Sequence, residues 1–184
     1  CERYPALVRR LIDAFTQRLD AAAAIKNEID NEVDGDEARR VLRTLLEVCG
    51  ACRATNVDNP RRYATVFEVD PRVLGTDDEQ APFGVYFVHG REFDGFHVRF
   101  RDIARGGMRI VRPMGMEQYA LEAERHYDEA YGLAYAQQQK NKDIPEGGSK
   151  GVILATPSAD FESVGRAFAD SLLDLTIPDE LMST

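Results

Sequence analysis

The chain has 184 residues, 43% of them hydrophobic and 30% charged, the balance of a globular protein with its own core. A formal net charge of −9 argues against a general nucleic-acid binder. No apolar run reaches the roughly 18 residues of a membrane-spanning helix, so no membrane partner is expected.

The chain opens on Cys1 inside a helical pattern and shows no secretory signal, as expected of a segment cut from a longer protein. Over 4–20, Leu7, Leu11, Phe15 and Leu19 recur at four-residue steps beside Val8 and Ile12, which predicts an amphipathic helix. Residues 21–33 read as a weaker helix. After the turn "VDGDE", Asp36 is the expected N-cap of a helix over 36–54. Val41, Leu42, Leu45, Leu46 and Val48 supply its core side. That helix closes on "CGAC", with Cys49 and Cys52. A thioredoxin-like pair would follow a strand and a zinc site would need a second pair; neither context is present, so the cysteines read as structural.

After "NVDNPRRY" the pattern changes. Strands are expected over 63–69, 83–90 and 96–102. In the last, Phe96, Val98 and Phe100 alternate with His97, Arg99 and Arg101, and "REFDG" before it fits a hairpin connection. "IARGGMRIVRP" is a glycine turn followed by a short apolar stretch. Residues 116–139 read as one long helix with Tyr119, Ala123, Tyr127, Ala130 and Ala134 inward. A loop, a strand over 151–157 and a last helix follow. Ser158 or Asp160 is the expected cap of that helix, with Val164, Phe168, Leu172 and Leu173 inward. The sum is an α/β fold, a mixed β-sheet flanked by helices and preceded by a helical segment. The domain division is 1–57 and 58–184.

From His97 to Gly151 there are nine Lys/Arg against eight Asp/Glu, which leaves −10 on the remainder. A basic stretch in an acidic chain suits a small anion, though sampling accounts for it equally well. "IPEGGSKG" fails as a phosphate loop: Ser149 precedes Lys150 where glycine is needed, and a strand follows where a helix is needed. The other reading is a lysine in a protected turn, able to serve as base, acid or nucleophile. Gly106-Gly107 and Gly147-Gly148 each permit positive φ or close backbone approach, and each pair is followed by a cation, Arg109 or Lys150. Arg105, Arg109, Lys140 and Lys142 are candidate carboxylate anchors around them.

Together, "FHVRFRDIARGGMRI", the helical stretch after it and "QKNKDIPEGGSKGVIL" resemble the glutamate dehydrogenase family. Within it they resemble the large NAD-specific enzymes of the fungal and protist branch. The segment ending "ARRVLR…CRATN" is similar too, so the resemblance covers nearly the whole chain. It implies a substrate-binding domain, here incomplete, for L-glutamate or 2-oxoglutarate. That domain would face a Rossmann domain that binds NAD outside this chain. Lys150 matches the catalytic lysine. Arg105 stands where the γ-carboxylate is held, and Arg109 lies on the same motif. Lys140 matches the α-carboxylate anchor, and a short spacing to Lys150 leaves Lys142 open. Gly106, Gly107, Gly147 and Gly148 would form backbone walls. The family's catalytic aspartate belongs downstream of Lys150, and Asp160 lies too close to take that role. The resemblance implies a homo-oligomer in the full-length protein, in cytosol or mitochondrion, and no turnover by this segment alone. The alternative is a catalytically idle interaction or regulatory domain derived from an amino-acid dehydrogenase, with helices 4–54 as its working surface.

Overall fold

The computed structural model describes residues 4–17, 22–74, 80–140 and 145–177, with backbone alone over 12–17. The chain forms two compact units, Cys1–Cys52 and Arg53–Thr184. Leu19 and Lys142 lie outside the described residues.

The first unit is helical, with α1 at Pro5–Gln17, α2 at Ala22–Glu32 and α3 at Asp36–Ala51. Leu7, Leu11, Ile25, Ile29, Val33 and Leu42 bury one another, so the four-residue apolar spacing does its work here. Ion pairs Arg10–Glu28 and Arg43–Asp30 tie the helices at the surface. Three expectations are corrected. Asp36 is the first helical residue rather than the cap: Gly35 precedes it at φ 89°, and the Asp36 carboxylate instead accepts from Arg39 at 2.9 Å. Val41 and Leu45 are exposed at 45% and 38%, leaving Leu42 as the buried residue of α3. The helix also stops three residues early, because 52–54 belong to a strand.

Seven strands are described, all but the first residue of β1 in the second unit: β1 (Cys52–Thr55), β2 (Thr65–Val69), β3 (Gly84–His89), β4 (Phe93–Arg99), β5 (Ala104–Arg105), β6 (Met108–Val111) and β7 (Gly147–Ala155). They form one mixed sheet in the order β1-β2-β3-β4-β7, with β5 and β6 following each other along the far side of β7. β4 runs antiparallel to β7, and β5 and β6 run parallel to it. The helices are α4 (Met116–Glu124), α5 (His126–Gln139) and α6 (Phe161–Thr176).

Both faces of the sheet are covered. On one, Val66, Val88, Phe93, Ile153 and Ala155 pack on Val164 and Phe168 of α6. On the other, Val85, Val98 and Val152 pack on Ala130 and Ala134 of α5. A strand buried on both sides is apolar throughout, which explains the unbroken "VILA" of β7. Asp160 caps α6 by accepting from Ser163 N–H at 3.0 Å, and Ser158 does not take that role.

Two more boundaries and one inward position differ from expectation. β4 begins at Phe93, so the hairpin shortens to 90–92, closed by Gly90 N–H donating to Phe93 C=O at 2.9 Å. The long helix is two helices, broken at Arg125 (φ −116°, ψ 8°), and Ala123 is exposed. Leu173 is 43% exposed, and Ser171 takes the inward position.

Candidate active site

The second glycine pair is not a turn. Gly147 and Gly148 are the first residues of β7, so Lys150 projects from a strand. Neither pair uses positive φ, since Gly35 alone among the described glycines does. What they allow is close approach. A Cβ on Gly106 would run into the Ser149 carbonyl, and one on Gly148 into the Gln138 backbone N and, at 2.5 Å, the Ala134 carbonyl. Gly147 lies against Arg101 in the same way, with Arg101 Cβ at 2.6 Å from such an atom.

Register then assembles the cations. Arg105 lies beside Gly148, and Arg109 beside Val152. The offset is the same on both sides of Gly106-Gly107, which places Gly107 beside Lys150. Side chains alternate along a strand and neighbours in register share a face. Gly148, Lys150 and Val152 therefore point to the α5 side, together with Arg105, Gly107 and Arg109. The lysine lies over the bare backbone of Gly107: a Cβ there would sit 4.0 Å from Lys150 Nζ. Lys150 is half-buried.

The end of α5 closes this corner. Arg105 donates from a terminal nitrogen to the Lys140 carbonyl at 3.3 Å, which brings the Lys140 backbone to the end of the sheet where register places Arg105 near Lys150. Arg109 is held apart from them by an ion pair with Glu129 of α5 at 2.7 Å. Arg101 donates to the Pro145 carbonyl at 3.2 Å and steadies the entry to β7. Two cationic side chains, Arg105 and Lys150, thus share one face of the sheet over bare glycine backbone, with the Lys140 backbone beside them. Among the described residues, no cluster of His, Cys, Asp and Glu has the make-up of a metal site. Burial pushes the Cys49 thiol up, away from the thiolate a redox pair needs.

A sequence model described as "Bacterial NAD-glutamate dehydrogenase, catalytic domain" matches residues 24–176. The chain belongs to this NAD-glutamate dehydrogenase family. Glutamate dehydrogenase 2 of Dictyostelium discoideum is 38% identical over 200 residues, which covers 96% of this chain and 19% of the relative. The NAD-specific glutamate dehydrogenases of Saccharomyces cerevisiae and Neurospora crassa are each 40% identical and cover 90% and 86% of the chain. The chain spans 16% and 15% of their lengths, so it corresponds to a small part of such proteins.

Two residues of this glutamate dehydrogenase segment escape a reading of the sequence. His126 is buried, donates from Nε2 to the Val152 carbonyl at 2.9 Å, and sets its ring edge-on to Phe96. Burial lowers its pKa, although the Val152 contact works the other way. Gln138 accepts from the Gly148 N–H at 2.7 Å. Helical periodicity puts both near the sheet-facing side of α5, but only the paired strand reveals their partners.

Proposed function

We propose that this segment supplies the substrate side of an NAD-dependent glutamate dehydrogenase, which deaminates L-glutamate to 2-oxoglutarate and ammonia. The observation that carries the reading is the placing of Arg105 and Lys150 on one face over Gly107, with the Lys140 backbone held beside them by Arg105. The guanidinium of Arg105 holds the γ-carboxylate, where a planar fork suits a planar anion. Lys140 holds the α-carboxylate. Lys150 lies over Gly107, where the missing side chain leaves room for the reacting carbon. There it moves the proton as water adds to the iminium carbon and ammonia departs.

NAD, when bound, accepts the hydride from the α-carbon. The 184 residues contain no G-x-G-x-x-G run of the kind that cradles a dinucleotide, so the coenzyme is assigned to residues outside them. The oxidation thus needs both parts of the longer protein, consistent with the small share of each relative that the chain covers.

Replacing Lys150 by alanine in the full-length protein tests the reading. Loss of a positioned acid–base group lowers kcat by about 100- to 10,000-fold. Turnover within a few-fold of wild type would instead favour the idle interaction domain.

A further inference from the structure

The two lysine-bearing segments are joined by one side-chain hydrogen bond. Gln138 stands two residues before Lys140 and Gly148 two residues before Lys150. The Gln138 side-chain oxygen accepts from the Gly148 N–H at 2.7 Å in a partly buried setting. The backbones are pressed together at the same point, since a Cβ on Gly148 would collide with Gln138 N and stand 2.5 Å from Ala134 O. Two residues further on, just past the end of α5, the Lys140 carbonyl takes the Arg105 hydrogen bond. The last turn of α5 is thus fastened to β7 by Gln138 and to β5 by Arg105.

We propose that Gln138 is a positioning residue: its bond to Gly148 sets the spacing between Lys140 and Lys150, and so the fit of a dicarboxylate between them. This inference rests on the glutamate dehydrogenase reading above. A helix end is free to fray when its side chains lack partners. Gln138 holds Lys140 in place before substrate arrives, which lowers the ordering cost of binding. It touches no reacting atom, so its effect falls on binding more than on chemistry.

The experiment uses the full-length protein and compares Gln138→Met, Gln138→Glu and Lys150→Ala. Methionine keeps the length and removes the acceptor. KM for glutamate should rise about five- to ten-fold, the scale of one lost hydrogen bond to a backbone amide, while kcat stays within about two-fold of wild type. Glutamate at 138 keeps an acceptor oxygen at the same reach, and its KM should lie nearer wild type. An unchanged KM in Gln138→Met overturns the proposal. So does a fall in kcat that tracks a lowered melting temperature, or a KM for Gln138→Glu as high as for Gln138→Met. An active Lys150→Ala protein overturns the site reading and the positioning role with it. An inactive one beside an unaffected Gln138→Met overturns the positioning role alone.

Discussion

At Gly106 and Gly107, adjacent glycines do different jobs. A Cβ on Gly106 would run into the Ser149 carbonyl, which is backbone in the middle of a paired strand and has nowhere to go. A Cβ on Gly107 meets only Lys150 Nζ, at 4.0 Å, the end of a flexible side chain. Gly106→Ala is therefore expected to cost about 1–3 kcal/mol of stability, as overpacking does, and Gly107→Ala to leave the unfolding midpoint unchanged. Thermal unfolding of the two variants side by side checks this; equal losses would mean that both glycines serve only the backbone. The candidate site is legible in the sequence at this scale because lysine, arginine and glycine sit in motifs of fixed spacing. Which glycine faces the lysine is not legible. That depends on register between β5, β6 and β7, and Gly106 and Ser149 are 43 residues apart in the chain.

Elements show the same division between local and long-range causes. The amphipathic helices and the strands rich in β-branched and aromatic residues were readable because side-chain period reports burial directly. The start of β7 was not, since "GGS" has poor strand propensity and is extended only because β4 and β5 pair with it. The break at Arg125 is equally long-range, because it separates α4 from the helix that begins at buried His126. On β4, His97 is half-buried and lies 5.9 Å from the Tyr86 ring. Burial, with the Arg99 charge beside it, lowers its pKa from 6.5 to about 4. The unfolded chain then binds more protons than the fold below pH 6.5. The stability held by neutral His97 is complete above that pH and is lost as pH falls toward about 4. The melting temperature should drop over this window, and less steeply in His97→Phe; identical slopes would show that other groups carry the acid sensitivity.

Across the whole molecule, charge sets a sharp contrast. The chain is −9 overall, yet Arg105 and Lys150 lie on one face at one end of its sheet, with the Lys140 backbone beside them. A cationic corner in an acidic protein suits a small anion better than a long polyanion, which the rest of the surface repels. Arg105, Lys140 and Lys150 all belong to the unit Arg53–Thr184, so the proposed dicarboxylate site should form within it. In calorimetric titration of the 184-residue chain, 2-oxoglutarate should bind and NAD should give no heat. Binding of 2-oxoglutarate should weaken as salt is raised, because screening acts on partly exposed ion pairs. Arg105→Ala should remove most of that binding by leaving one carboxylate without its fork. If NAD binds the chain as tightly as 2-oxoglutarate does, the division of substrate and coenzyme between separate parts of the protein is wrong. If neither ligand binds while the chain remains folded, the corner is not by itself a site for the dicarboxylate.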